Sequence, residues 1–149
     1  MNRKALFAGT FDPFSVGHDS IVRRALQITD ELIIAIGVNS EKKTLFSVEE
    51  RTENIRKIYS SFTNIHVTSY HVLTVDFAKQ SGVDFMIKGI RNMNDFEYER
   101  TMSDFNRMIS GIETVFLFSE PRYASISSSL IREMILFNKD ISNLIPVIK

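Results

Sequence analysis

The sequence has no cysteine among its 149 residues. That absence excludes a disulfide framework, thiolate zinc sites and a cysteine nucleophile together. Neither charge is in excess: 18 Lys+Arg stand against 18 Asp+Glu, a formal net charge of zero. Coating nucleic acid or an anionic membrane needs a large basic surplus, so neither is an expected partner. A local cationic site stays open. No run approaches the roughly 18 apolar residues of a membrane span. Met1-Asn2-Arg3-Lys4, then Ala5-Leu6-Phe7-Ala8, reaches Gly9 and Asp12-Pro13 before an apolar segment is long enough for a signal peptide, and a cytoplasmic setting is expected. Repeats, low-complexity tracts and linkers are missing too, so residues 1–149 are expected to form one domain.

What is present is an alternation of short apolar runs with longer amphipathic ones, the pattern of repeated βα units around a mostly parallel sheet. The expected strands are Lys4–Ala8, Leu32–Val38, Ile65–Thr68, Phe85–Ile87 and Thr114–Phe118. Ile33-Ile34-Ala35-Ile36 and Val115-Phe116-Leu117-Phe118 are continuously apolar, as strands covered on both faces are. Helical spacing predicts a helix from His18 to about Thr29, with Ile21, Val22, Ala25, Leu26 and Ile28 on one stripe. Ser47-Val48-Glu49-Glu50 is a capping box that starts another, running to about Tyr59. Further helices are expected over Thr74–Gln80, Asn94–Ile109 and Ser127–Phe137, with a short one near Ile141–Leu144. Tyr98, Met102, Phe105 and Ile109 share a face, and such spacing usually marks core. The fold class is therefore α/β: a Rossmann-like, doubly wound, mostly parallel five-stranded sheet with helices on both faces.

Such sheets bind ligands beyond the carboxyl ends of their strands. Four motifs fall there. Gly9-Thr10-Phe11-Asp12-Pro13-Phe14-Ser15-Val16-Gly17-His18 follows the first strand, with glycines that allow close backbone approach and a histidine where a helix dipole disfavours imidazolium. It lacks both Gly-x-Gly-x-x-Gly and the P-loop ending, and alone Asp12-Pro13 also reads as a turn and His18 as a cap neighbour. Ile126-Ser127-Ser128-Ser129-Leu130-Ile131-Arg132 offers hydroxyls and helix-start N–H groups for phosphate oxygens, or merely an N-cap. Lys88-Gly89-Ile90-Arg91 brackets a glycine with cations, and Lys42-Lys43 adds two more; each could equally be solvated surface. Together they suit several phosphates. With no nucleophilic triad and no zinc-spaced cluster, and with His66 and His71 in or beside a strand, phosphoryl or nucleotidyl transfer by positioning and charge neutralisation is the class left.

Over essentially its whole length the chain resembles the bacterial phosphopantetheine adenylyltransferases, within the nucleotidyltransferase superfamily marked by Gly-His and Ile-Ser-Ser-Ser/Thr signatures. The resemblance rests on Gly9-Thr10-Phe11-Asp12-Pro13, Gly17-His18, Lys42-Lys43, Phe46 with Glu49-Glu50-Arg51, Gly89 with Arg91, Asp95-Phe96-Glu97-Tyr98-Glu99 and Ile126-Ser127-Ser128-Ser129-Leu130. It implies the reaction of ATP with 4′-phosphopantetheine to give 3′-dephospho-coenzyme A and pyrophosphate, the penultimate step of coenzyme A synthesis. It implies that Thr10 and His18 contact the α-phosphate, His18 stabilising the transition state, and that Thr10, Lys42 and Lys88 hold the attacking phosphate. Thr74 stands at a pantetheine-contacting position. Phe11, Gly89, Ile90, Arg91 and Glu99 stand at ATP-binding positions, as do Tyr123, Ala124, Ser125, Ile126, Ser127, Ser128 and Ser129.

Magnesium is implied as cofactor, bridging ATP oxygens and keeping much of its water, with no protein metal cage. A homohexamer and feedback by coenzyme A are implied as well. Three positions depart from the family pattern: Lys88 where Arg is usual, Val16 where Asn is frequent and Ala8 where Pro is frequent. The first replaces a bidentate fork by a point charge. Two other readings stay open: the same fold with another phosphorylated acceptor, and an ATP-binding module without turnover.

Overall fold

The computed structural model describes residues 1–148. In chain order the elements are β1 (Lys4–Gly9), α1 (Val16–Ala25), β2 (Glu31–Gly37), α2 (Val48–Ile58), β3 (Ile65–Tyr70), α3 (Thr74–Gln80), β4 (Phe85–Ile90), α4 (Met93–Ser110), β5 (Glu113–Phe118) and α5 (Ser128–Leu136), with a single 3₁₀ turn at Pro121–Tyr123 before α5. The five strands form one sheet in the order β3-β2-β1-β4-β5, and every pairing is parallel. Winding reverses between β1 and β4, so the crevice beyond their carboxyl ends is the topological switch point of the fold.

Alternation along the central strands divides the core in two, because successive side chains point to opposite faces. Ala5 and Phe7 of β1 join Leu32, Ile34 and Ile36 of β2 beneath α1 and α2, which contribute Ile21, Val22, Ala25, Ile55 and Ile58. Leu6 and Ala8 join Ile33 and Ala35 on the other face, beneath Ala78 of α3. Leu6, Leu32, Ile34, Ile36 and Ile87 are fully buried, and each is worth about 1.5–3 kcal/mol relative to an exposed side chain.

The structure differs from the expected boundaries at informative places. Helix α1 begins at Val16, capped by Ser15, so His18 lies inside its first turn. It ends at Ala25 instead of running to Thr29, and Ile28 lies outside the stripe, exposed. β4 continues through Lys88, Gly89 and Ile90, which pair with Phe116, Leu117 and Phe118. Three of the four residues expected after the strand thus belong to it, and only Arg91 follows it. Ile141–Leu144 is one turn closed by Leu144 N–H to Ile141 O, with no helix. Four residues cannot repay helix nucleation, and Pro146 lacks the N–H needed to continue. Most telling, α4 has no buried residue: Tyr98, Met102, Phe105 and Ile109, expected as core, are exposed.

Candidate active site

Local sequence aims His18. Ser15 is the N-cap of α1 and His18 occupies the third helical position, where a capping box normally has Glu. Ser15 Oγ accepts from His18 N–H at 3.4 Å, and His18 Nδ1 accepts from Ser15 N–H at 2.9 Å. An imidazole nitrogen that accepts a backbone N–H carries no proton, so the neutral ring bears its proton on Nε2. Phe14 stacks on the ring at 5.2 Å and Phe11 meets it edge-on at 5.1 Å. Burial foremost, then the charges of Arg91 and Lys88, lower the His18 pKa from 6.5 to about 4. His18 is thus a fixed neutral donor near pH 7, held so mainly by its apolar surroundings and only secondarily by nearby charge.

Phe11 reaches this position through a left-handed backbone, φ 52°. The residue is only 4% exposed, its ring packed against Phe7, Phe14 and His18. Gly9 is required by that ring: a Cβ there would lie 2.9 Å from it. Gly17, by contrast, has room for a Cβ, the nearest atom being Ser15 Oγ at 3.5 Å. Of the two glycines that the sequence ties to close ligand approach, the first is explained by packing.

His18 opens on a crevice of about 330 Å³ lined also by Gly9, Thr10, Phe11, Gly17, Lys42, Lys88, Gly89, Arg91, Glu99, Tyr123, Ile126, Ser127, Ser128, Ser129 and Arg132. Lys42 Nζ donates to Thr10 Oγ1 at 3.1 Å. Lys88 lies 3.8 Å from Glu99, and Arg91 Nε is 3.2 Å from Asp95 Oδ2. A second cavity of about 200 Å³ shares Lys88 and Glu99 with the first and contains Thr74, Leu73, Tyr98 and Met102. Thr74 Oγ1 is 2.8 Å from the Tyr70 hydroxyl, whose pKa is raised by burial. Ile90, 2% exposed, lines neither cavity, nor do Ala124 and Ser125. Lys43, His66 and His71 also lie away from both.

Each of the three serines at the start of α5, Ser127, Ser128 and Ser129, has a partner within the chain. Ser127 Oγ caps the helix by accepting Leu130 N–H at 3.1 Å, Ser128 Oγ donates to Pro13 O at 2.8 Å, and Ser129 Oγ accepts from Arg132 Nη2 at 3.0 Å. The backbone N–H groups of Ser128 and Ser129, in the first turn, have no intrahelical acceptor and remain for an anion. Arg132 also donates to Asp12 O at 2.9 Å, so it braces the first loop as well as lining the crevice.

Asp12 and Arg51 escaped a site reading at the sequence level. Both are buried, at 3% and 5% exposure, and both bond across to a neighbouring loop. An acid set among Phe11, Pro13 and Phe14 was the available signal, and Asp-Pro as a turn accounted for it too readily. Among the described residues no group of three or more His, Cys, Asp or Glu could hold a metal ion, and no helix is long and apolar enough to cross a membrane.

The cytidylyltransferase-like family model matches residues 6–134. The phosphopantetheine adenylyltransferase of Bacteroides thetaiotaomicron is 52% identical over 144 residues, 97% of this chain and 95% of that one. That of Streptomyces coelicolor is 40% identical over 144 residues, 97% and 91%. Among solved structures, a bifunctional NMN adenylyltransferase/ADP ribose pyrophosphatase from Francisella tularensis superposes with a TM-score of 0.74 at 15% identity, covering 100% of this chain and 46% of that one, and so shares the fold. By its own sequence the chain belongs to the phosphopantetheine adenylyltransferases, a branch of the cytidylyltransferase-like family.

Proposed function

We infer that the chain transfers the adenylyl group of ATP to 4′-phosphopantetheine, yielding 3′-dephospho-coenzyme A and pyrophosphate in the cytoplasm. The observation that carries this reading is a neutral, Nε2-protonated His18 beside Lys42, Lys88 and Arg91 at the switch point of the sheet, in a chain of this family. An oxygen of the acceptor phosphate, largely dianionic at pH 7 with a second pKa of ~6, attacks the α-phosphorus of ATP. A new P–O bond forms, the bond from the α-phosphorus to the α,β-bridging oxygen breaks, and pyrophosphate leaves in line. No protein nucleophile is needed.

The chain's part is to bring two anions together. Thr10, Lys42 and Lys88 hold the acceptor phosphate. His18 Nε2–H donates to a non-bridging α-oxygen, where charge grows in the transition state. Arg91, the backbone around Phe11 and Gly89, and the free N–H groups of Ser128 and Ser129 hold ATP. Glu99 spaces and steadies Lys88. Thr74 contacts the pantetheine arm in the second cavity. Ile90, Ala124 and Ser125 line neither cavity and are given no direct contact with ATP.

Divalent magnesium fits this site as a passenger on the nucleotide. The crevice carboxylates already have partners, Glu99 in Lys88 and Asp12 in backbone N–H groups, so a bound ion would be held by ATP oxygens and water. When bound it neutralises phosphate charge. Coenzyme A carries the same pantetheine arm and competes for the second cavity. The apolar exposed face of α4 packs against other copies of the chain in a homohexamer. A panel of phosphorylated acceptors scored for pyrophosphate tests the substrate assignment. Turnover with nicotinamide mononucleotide and none with phosphopantetheine would overturn it.

A further inference from the structure

We propose that Asp12 is a positioning residue for the acceptor phosphate: its buried carboxylate fixes the loop that carries Lys42 against the loop that carries Thr10. No step of the proposed reaction uses Asp12, yet it is a charged side chain only 3% exposed. Burying a carboxylate is costly unless its oxygens are hydrogen-bonded, so its partners report its purpose. Oδ2 accepts from Leu45 N–H at 2.8 Å, and Oδ1 accepts from Phe46 N–H at 2.9 Å. Both donors belong to the connection between β2 and α2, three and four residues beyond Lys42.

Arg51 secures the same seam from the other side. Its Nη1 donates to Thr10 O at 2.8 Å, while its Nε donates to Phe46 O at 3.1 Å. An acid on the first loop therefore grips donors of the second, and a base beside the second grips an acceptor of the first. The result at the surface is Lys42 Nζ 3.1 Å from Thr10 Oγ1, a cation and a hydroxyl converging on one point. Exposed lysine loses much rotamer entropy when fixed, and a rigid loop base removes part of that cost.

This inference rests on the reading of Thr10 and Lys42 as the acceptor site. Asp12→Asn sets an amide NH₂ against a backbone N–H and breaks one of the two bonds. The KM for phosphopantetheine should rise about tenfold, as for loss of a hydrogen bond to a charged group, while the KM for ATP changes less than about twofold. In a Lys42→Ala background the same substitution should add less than about twofold, because the lysine it positions is gone. Three results would overturn the proposal: an unchanged acceptor KM, equal effects on both substrates, or effects of Asp12→Asn and Lys42→Ala that multiply in full.

A second measurement needs no variant and no turnover. Native-state hydrogen exchange should show the Leu45 and Phe46 amides at least about 10²-fold protected although they lie in a loop. Free exchange there removes the clamp. A wild-type protein that makes no dephospho-coenzyme A counts against the proposed function instead, and the exchange result still decides the clamp.

Discussion

In the proposed reaction the chemistry falls to His18, an imidazole whose proton is located by a backbone hydrogen bond. Ser15 N–H occupies Nδ1, so Nε2–H is the group presented to the crevice. His18→Ala should lower kcat by about 10²–10³ with a smaller effect on the KM for ATP, as removal of a transition-state donor does. Steady-state kinetics with both substrates varied checks this, and full activity in the variant would remove His18 from the mechanism. The pH dependence follows from the depressed pKa. An unfolded histidine takes up a proton near 6.5, whereas the native ring resists until about 4. Its contribution to stability is therefore complete above pH 6.5 and is lost as pH falls toward about 4. Wild type should lose more stability than His18→Gln between those limits, measured by denaturant melts across pH. The acid limb of kcat/KM should instead lie at ~6, the second pKa of the substrate phosphate, and should persist in the Gln variant. For Lys88, replacement by Arg should be tolerated and replacement by Ala should mainly raise the KM for phosphopantetheine. An unchanged KM in the Ala variant would free residue 88 from the acceptor.

At the scale of elements, two helix starts show how far local sequence reaches. Ser47 and Glu50 form the expected capping box, with Ser47 Oγ accepting Glu50 N–H and a Glu50 oxygen accepting Ser47 N–H. Ser127 caps α5 with its hydroxyl alone, accepting Leu130 N–H with no acid at the third position to reciprocate, and Ser127→Ala should cost about 1 kcal/mol in denaturant unfolding. The cap ahead of His18 was less legible because histidine substitutes for the usual acid at the third position. Apolar runs found all five strands but ended β4 early, since Lys88 and Gly89 break the run while still pairing with β5. Asp12 went unrecognised for a different reason. Its partners, Leu45 and Phe46, are distant in sequence and donate through their backbones, so no spacing of residue types records the contact. Long-range bonds of that kind become visible only once the chain is folded.

For the whole molecule, zero net charge conceals an uneven distribution, with Lys42, Lys88, Arg91 and Arg132 lining one crevice. Helix α4 shows the opposite kind of surplus. Its periodicity correctly predicts an apolar face, but periodicity alone cannot say whether a face is covered by the same chain or another, and here Tyr98, Phe105 and Met108 remain exposed. If other copies cover it, Phe105→Glu should convert the assembly to smaller species in sedimentation velocity while the circular dichroism spectrum stays native. A wild-type monomer would contradict that assembly. If magnesium enters with the nucleotide, as proposed, chelation should abolish turnover and leave the melting temperature unchanged. The most direct test of the central claim is pyrophosphate release followed in parallel with dephospho-coenzyme A formation. ATP and phosphopantetheine together should give the two products in equal amounts, and either substrate alone should give neither. ATP binding by calorimetry without product, or pyrophosphate formed from ATP in the absence of the acceptor, would contradict it.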